Sequence, residues 1–187
     1  MKDDNFTSAA HELGTAAVAD YADYLGEMPK KYFQAGTFDG VAKVSGSTMA
    51  ETILTGTSAC HACVIACGRV VALPETFGVL VTSSKFLEMP DKNPKGLPRE
   101  QKGPEYETIV GFGPNLLIDD LPFIVRMGEL CDRYGMDVIT LSGTLGLAFT
   151  LYEQGIINPE DTGGLELNWG DTQIVETLVH QTARREG

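Results

Sequence analysis

The sequence predicts a mainly α-helical domain, irregular in outline, with one small β-hairpin after a cysteine-rich loop. Apolar residues recur at helical spacing along most of the chain, and glycines or capping residues bound these segments. Short β-branched runs directly follow the third cysteine, which indicates the hairpin. With a length of 187 residues and a hydrophobic fraction of 43%, residues 1–187 suit a single domain with an ordinary core.

The first half of the chain predicts two helices separated by an irregular segment. Thr15 is a candidate N-cap and Gly26 a candidate stop for the first helix. Proline and glycine interrupt residues 28–36 too often for a regular element. A short helix is expected from Thr48 to Leu54, where it leads into a tight loop that carries three cysteines.

Strand-like segments follow the cysteines. Residues 69–73 and 77–81 are short and β-branched, so we expect them to pair as the hairpin. Residues 89–102 contain three prolines and several charges, which predicts an exposed loop.

The second half predicts four helices. A short one covers residues 105–111. Asp120 caps a stronger one, which carries Pro122 in its first turn and ends at Gly135. Asp171 caps the last helix, over residues 172–185.

The third of these four helices runs from Asp137 to a stop at Gly155. It is apolar nearly all round, so we expect it to be central in the domain. Gly143 and Gly146 are expected to let another backbone pack closely against it, although they weaken its helix propensity.

The overall charge excludes several function classes. Fourteen lysines and arginines against 26 acidic residues give a net charge of −12, which is unsuited to nucleic acid or to an anionic membrane surface. No apolar run approaches the length of a membrane span, and the polar, acidic start is unlike a secretory signal. Four cysteines clustered as three plus one indicate metal binding in a reducing cytoplasm and not a disulfide framework.

Three cysteines, Cys60, Cys63 and Cys67, form a C-x2-C-x3-C motif. Thiols at this density favour a metal centre over a core packing role. The motif suits an iron–sulfur cluster, which normally takes four thiolates, or zinc with His61 as a fourth ligand. Buried, unreactive cysteines are the remaining interpretation. The spacing by itself leaves these alternatives open.

Two further motifs carry candidate chemistry. In G-P-E-Y-E, residues 103–107, a glutamate could act as a general acid or base, but the spacing alone favours a solvated helix start. In D-R-Y-G-M-D, residues 132–137, Gly135 and Asp137 fit ordinary caps. Asp132 meets unfavourable dipole polarity near a helix C-terminus, and an acid there could bind the nitrogens of a heterocycle. The spacing alone favours a structural role for it.

In this order, the motifs C-x2-C-x3-C-G-R, G-P-E-Y-E-T and D-x2-G-M-D resemble those of the tungsten-containing aldehyde:ferredoxin oxidoreductase family. Flanking sequences agree: P-K-K-Y-F at 29–33, E-L-C at 129–131 and Y-E-Q-G-I-I at 152–157. The similarity covers residues 14–187 and concerns the family's middle, α-helical domain, which is domain 2. The resemblance therefore implies the same fold class.

The resemblance implies that Cys60, Cys63 and Cys67 ligate a [4Fe–4S] cluster. In the family the fourth cysteine comes from a D-x-x-G-L-C motif of the following domain, and this sequence contains no such motif. Cys131 lies on a helical core stripe, so we expect it to pack and not to replace that ligand.

The resemblance also implies a pterin site. The family's D-x-x-G-L-D motif maps onto Asp132, Gly135, Met136 and Asp137, with Met136 where the family has leucine. The first acid of that motif contacts the pterin. The glutamate near the metal, a candidate proton carrier, maps onto Glu107.

The family oxidises an aldehyde to a carboxylic acid, and electrons pass from a tungsten (or molybdenum) bis-pterin through the cluster to ferredoxin. The resemblance implies the same substrate class and partner here. It also implies an amino-terminal β domain and a carboxy-terminal α domain beside this one. We therefore expect a truncated piece that is inactive alone, with both cofactors absent or incomplete. The alternative is a stand-alone iron–sulfur or zinc-binding module for electron transfer or structure.

Overall fold

The computed structural model describes residues 4–73 and 100–186. Within these ranges the chain forms seven α-helices and one antiparallel sheet of three strands, so the predicted mainly α-helical class is confirmed. The helices are α1 (Asn5–Leu13), α2 (Ala17–Leu25), α3 (Gly46–Thr52), α4 (Tyr106–Phe112), α5 (Leu121–Tyr134), α6 (Val138–Glu153) and α7 (Thr172–Arg184). The strands are β1 (Leu54–Ser58), β2 (Gly68–Ala72) and β3 (Glu100–Lys102).

Helical structure begins earlier than the sequence predicted. Asp4 caps α1, and its carboxylate accepts the Thr7 N–H at 2.8 Å. The prediction that Thr15 caps a helix was wrong, because Thr15 lies in a 3-10 turn, Gly14–Ala16, and its hydroxyl bonds to a distant segment. Gly26 ends α2 in the left-handed conformation with φ 73°, as predicted.

The irregular segment over residues 28–36 is confirmed, and it has an unusual backbone. Lys31, Tyr32 and Phe33 all have positive φ, at 47°, 48° and 64°. Such conformations are uncommon outside glycine, so the surroundings must hold them. The N–H of Lys31 donates to the carbonyl of Pro114 at 3.0 Å, and that of Tyr32 to the carbonyl of Asn115 at 2.9 Å.

The cysteine loop connects two neighbouring strands of the sheet. β1 and β2 are antiparallel neighbours, and Ser58 pairs with Gly68, so residues 59–67 form the loop between them. β3 pairs with the other side of β2. The short helix was expected to reach Leu54, but that residue already belongs to β1.

The predicted hairpin partner, residues 77–81, lies outside the described residues. So does the predicted exposed loop as far as residue 99. Its last three residues form β3, in which Glu100 and Lys102 are exposed. In the described part of the chain the hairpin is therefore formed by β1 and β2, the strands before and after the cysteines.

Helix α5 forms as its caps predict. Asp120 accepts the Phe123 N–H at 3.0 Å, and Gly135 ends the helix with φ 67°. Its buried face joins α4 and α6 in one hydrophobic core, whose fully buried members include Ile109, Phe112, Leu116, Ile124, Met127, Cys131, Phe149, Val175 and Val179.

Helix α6 is less central than predicted. Leu141, Leu145 and Phe149 are buried, but Ile139 and Leu147 on its other face are 56% and 44% exposed. The uniform apolarity of this helix therefore does not mean uniform burial.

The two glycines of α6 also differ from expectation. A Cβ on Gly146 would lie 2.6 Å from the Tyr32 ring, so this glycine admits a side chain and not another backbone. A Cβ on Gly143 would meet nothing within 4 Å.

Helix α7 packs against α5 through Val175 and Val179, and an ion pair joins Arg126 of α5 to Glu176. Asp171 caps it, as predicted, by accepting the N–H groups of the first helical turn. Among the described residues, no helix combines the length and apolarity that a membrane crossing requires.

Candidate functional site

The cysteine loop, residues 59–67, makes two tight turns. The N–H of Cys63 donates to the carbonyl of Cys60 at 3.0 Å, which closes the first turn. Ala62 and Ala66, with φ of 55° and 52°, precede Cys63 and Cys67 directly. The three thiols are free, with Cys60 exposed and the other two half-buried. None of the three cysteines belongs to the buried core, which argues against the interpretation as buried, unreactive cysteines.

Helix α1 anchors the end of this loop. The ring Nδ1 of His11 bonds to the carbonyl of Ile65 at 2.7 Å. The guanidinium of Arg69 donates to the carbonyls of His11 at 2.9 Å and Glu12 at 2.7 Å, and also to the carbonyl of Ala66. These contacts attach the loop's last turn to the C-terminal end of α1.

Gly14 makes that close approach possible. A Cβ at this position would lie 2.5 Å from the carbonyl oxygen of Cys67 and 3.1 Å from Nε of Arg69. Gly14 also has φ 68°, which glycine adopts without strain.

The cysteine loop supplies three candidate ligands for a cluster. Across residues 4–73 and 100–186, no three histidine, cysteine, aspartate or glutamate side chains stand close enough together to hold one metal ion. A cubane cluster makes a different demand, because each thiolate binds a different iron atom. Three free thiols on one loop, beside a buried cation, are compatible with that demand. Cys60, Cys63 and Cys67 would hold the cluster.

Cys131 is separate from this loop. It is fully buried in the core on α5, and burial raises the pKa of its thiol to about 12. It therefore stays protonated at neutral pH and packs as a small apolar residue, in line with the sequence prediction.

The other two motifs line one cavity of about 260 Å³. Residues 102–108 form one side, the last turns of α5 a second, and the start of α6 a third. Glu107, Asp132, Met136 and Asp137, all singled out from the sequence, lie on its wall. Gly135 does not line the cavity; its left-handed turn lets the chain reverse from α5 to α6.

The two glutamates of G-P-E-Y-E have different surroundings. The hydroxyl of Thr15 donates to the carboxylate of Glu105 and accepts the N–H of Tyr106 at 3.0 Å. No hydrogen bond or ion pair joins the exposed Glu107 to another residue of the described chain. Glu105 is thus held in place at the start of α4, whereas Glu107 has no such contact within the described residues.

The two acids of the D-x-x-G-M-D motif also differ. Asp137 caps α6, and its carboxylate accepts the hydroxyl and N–H of Thr140 at 2.6 and 2.7 Å. The hydroxyl first, and then the N–H, lower the pKa of Asp137. Asp132 accepts from Lys102 of β3 at 3.2 Å, and both residues line the cavity. This cation offsets the unfavourable dipole at the end of α5.

The cavity and the cysteine loop meet at β2. The N–H of Gly103, on the cavity wall, donates to the carbonyl of Arg69 at 2.8 Å. A Cβ on Gly103 would lie 2.6 Å from Cβ of Arg69, so the two residues are packed against each other. Arg69 therefore contacts the loop on one side and the cavity wall on the other.

Sequence reasoning missed the structural roles of three residues here: Thr15, Arg69 and Lys102. Each acts on a partner far away in the sequence, up to 91 positions for Thr15 and Tyr106. The available signal was the arginine that directly follows the C-G of the cysteine motif.

This combination of a mainly α-helical fold, a cysteine loop and the two downstream motifs is that of an oxidoreductase family. The chain belongs to the aldehyde ferredoxin oxidoreductases: the family model "Aldehyde ferredoxin oxidoreductase, domains 2 & 3" matches residues 1–187. That model covers two domains, whereas the sequence motifs pointed to the middle one.

Similar proteins agree with this assignment. The chain is 36% identical over 179 residues to a tungsten-containing aldehyde ferredoxin oxidoreductase of Pyrococcus abyssi, covering 94% of this chain and 26% of that protein. A protein of the same name from Pyrococcus furiosus is 35% identical over 177 residues, with the same coverage. A P. furiosus aliphatic sulfonate oxidoreductase, WOR-like subunit, is 40% identical over 84 residues, covering 45% of this chain and 13% of that protein. The chain thus spans about a quarter of the length of the aldehyde enzymes that it matches.

Proposed function

We propose that this chain is the part of a tungsten- or molybdenum-pterin aldehyde oxidoreductase that supplies three cluster ligands and one wall of the pterin site. When bound, the metal pterin supplies the oxidation of an aldehyde to a carboxylic acid, and the [4Fe–4S] cluster supplies the exit of electrons to ferredoxin. The four free cysteines support the expected location in a reducing cytoplasm.

One observation carries the proposal: the contact between Gly103 and Arg69. It makes the cavity wall and the end of the cysteine loop direct neighbours, although the motifs are separated in sequence. Two cofactors that exchange electrons need such proximity. A stand-alone zinc or iron–sulfur module has no use for the cavity, so the geometry favours the enzyme.

The charges of the cavity select the part of the pterin that this chain would bind. Among the described residues, five carboxylates and one ammonium line it: Glu105, Glu107, Glu129, Asp132, Asp137 and Lys102. Carboxylates accept hydrogen bonds from the N–H groups of an aminopyrimidinone ring, and they repel phosphate. We assign the ring edge to Asp132. The phosphate end would lie away from this acidic wall.

Glu107 is the residue to which we assign proton transfer. It lies in the first turn of α4, on the cavity wall, and its carboxylate has no hydrogen-bond or ion-pair partner among the described residues. A carboxylate free of fixed partners can take up and release a proton during the reaction. Glu105 is unsuited to this role because Thr15 holds it.

Anaerobic reconstitution of the 187-residue chain tests the cluster assignment. Iron, sulfide and a small thiol, which replaces the fourth cysteine, are supplied together. We expect iron and acid-labile sulfide to be retained in equal amounts, and Cys60→Ser to abolish their retention. Cys131→Ser is the matched control, because its thiol is buried in the core. Retention of zinc without iron, or equal loading of the Cys60→Ser variant, would contradict the assignment.

Binding of free pterin tests the cavity assignment separately. We expect Asp132→Asn to weaken binding about tenfold, equivalent to about 1.4 kcal/mol. Asp39→Asn, at an exposed site outside the cavity, is the control and should bind normally. Equal affinity of the Asp132 variant and the unsubstituted chain would remove Asp132 from the site.

Activity needs the remaining domains. We expect the chain by itself to oxidise no aldehyde, because it covers 26% of the length of its relatives. Measured turnover by this chain alone would show that it contains a complete active site.

A further inference from the structure

Arg69 is a buried cation that, within the described part of the chain, is hydrogen-bonded to no carboxylate. The residue is 2% exposed, and its guanidinium donates to three main-chain carbonyls. Its Nε is buried without a hydrogen-bond partner in the described chain. Such a charge is costly to bury unless opposite charge compensates for it.

Part of the compensation comes from α1. The carbonyls of His11 and Glu12 belong to the last turn of this helix, which carries the negative end of the helix dipole. This partial charge does not balance a full positive charge. The remaining positive charge of Arg69 would therefore stabilise an additional negative charge near the cysteine loop.

We propose that Arg69 is the positioning residue of the cluster site: it fixes the last turn of the cysteine loop and supplies the positive charge beside the cluster. This inference rests on the proposed function, since it assumes that the loop binds a cluster. The third and last cysteine of the motif is two residues away in sequence, and Arg69 donates directly to Ala66 just before that cysteine.

The two roles have separate consequences. A cation near the cluster stabilises its more negative, reduced state relative to the oxidised state, so its loss lowers the reduction potential. The three hydrogen bonds hold the loop against α1, so their loss loosens both segments. α1 contributes no buried residue to the core, which makes this attachment important for its order.

The test compares Arg69→Met, Arg69→Lys and the unsubstituted chain after reconstitution with iron, sulfide and a small thiol. Arg184→Met, at the end of α7, is the control for loss of an arginine. At a fixed solution potential, we expect the ratio of reduced to oxidised cluster to be about tenfold lower in Arg69→Met. For one electron this is about 59 mV. Arg69→Lys, which keeps the charge, should restore most of the potential.

Hydrogen exchange in the metal-free chains reports the positioning role. We expect faster exchange in α1 and the cysteine loop for both Arg69 variants, because the single nitrogen of lysine cannot replace the two guanidinium nitrogens that donate to α1 and to Ala66. If Arg69→Met does not fold, Arg69→Lys decides: faster exchange with an unchanged potential supports the proposal, and unchanged exchange contradicts it.

The outcomes separate this inference from the function on which it rests. If the unsubstituted chain takes up no cluster, the cluster assignment in the proposed function fails and the inference fails with it. If the unsubstituted chain and Arg69→Met load equally and have the same potential, only the inference is overturned. Faster exchange with an unchanged reduction potential in Arg69→Met would contradict the electrostatic role and leave Arg69 with a structural role alone.

Discussion

Replacing Gly146 by alanine would place a methyl group 2.6 Å from the ring of Tyr32, well inside contact distance. The ring has little freedom to move away. Tyr32 has φ 48°, and its N–H is bound to the carbonyl of Asn115. The amide of Asn115 lies 3.2 Å from the same methyl position and is itself bonded to the carbonyl of Ser142. The substitution therefore overpacks the contact between α6 and the left-handed turn.

Two opposing effects set the magnitude. Alanine in place of glycine inside a helix gains about 1 kcal/mol, and overpacking costs about 1–3 kcal/mol. Gly146→Ala should therefore destabilise the chain by up to about 2 kcal/mol. Gly143→Ala, in the same helix but with nothing within 4 Å of its methyl position, should stabilise it by about 0.5–1 kcal/mol.

Urea unfolding measures this difference. A gap of about 2 kcal/mol between the two variants corresponds to midpoints about 1 M apart, for a slope of about 2 kcal/mol per M. In a Tyr32→Ala background the penalty at Gly146 should shrink, since the clashing ring is gone. If Gly146→Ala proves as stable as Gly143→Ala, the assigned packing of Tyr32 against α6 is incorrect.

Three further predictions concern single contacts. Thr15→Val should destabilise the chain by about 1 kcal/mol, because it removes two hydrogen bonds at the start of α4. Thr15→Ser, which keeps the hydroxyl, should be near neutral. Equal unfolding midpoints for the valine variant and the unsubstituted chain would contradict the contact. Asp137 has a lowered pKa in the folded chain, so its stabilising effect is complete above the unfolded value of 3.8 and disappears as the pH falls through the folded pKa. Asp137→Asn should therefore flatten the acid limb of the stability profile, and an unchanged limb would argue against the cap. Cys131, with a pKa of about 12, should resist alkylation at pH 8 in the folded chain, so that three thiols react before unfolding and four after; rapid modification of all four would contradict its burial.

Local signals in the sequence were sufficient for much of the fold. Asp120 and Gly135 bound α5 as predicted, because capping depends on residues within one helical turn. The cap at Thr15 was wrongly predicted for the same reason. Its hydroxyl satisfies the start of α4 instead, and no local pattern contains that information.

Strand pairing was also beyond local reasoning. Residues 54–58, Leu-Thr-Gly-Thr-Ser, contain a glycine and few apolar residues, so we predicted that a helix ends at Leu54 and leads into the cysteine loop. They form β1 because β2 offers an edge with which they pair. The prediction that α6 is buried all round was wrong for a related reason. Composition showed that the helix is apolar, but packing against the other helices decides which face is buried.

The sequence singled out candidate site residues but did not show how they are arranged. Glu107, Asp132, Met136 and Asp137 line one cavity, and their roles at a common site were implied by the family resemblance. Only the structure distinguishes Glu105 from Glu107, through the hydrogen bond from Thr15 to Glu105. Only the structure shows that Arg69 connects the cavity wall to the cysteine loop. The roles of the cysteines, Glu107 and Asp132 towards cofactors stay predictions.

The pairing of Ser58 with Gly68 has a consequence for how the metal centre would assemble. It closes the base of residues 59–67, so the two ends of the cysteine loop are neighbours before any iron arrives. Much of the entropy of loop closure is therefore lost during folding and not during metal capture. Once one thiol has bound iron, the next encounters it at an effective concentration on the order of millimolar or more. Assembly would then be limited by the first capture, and chelators would compete best before that step.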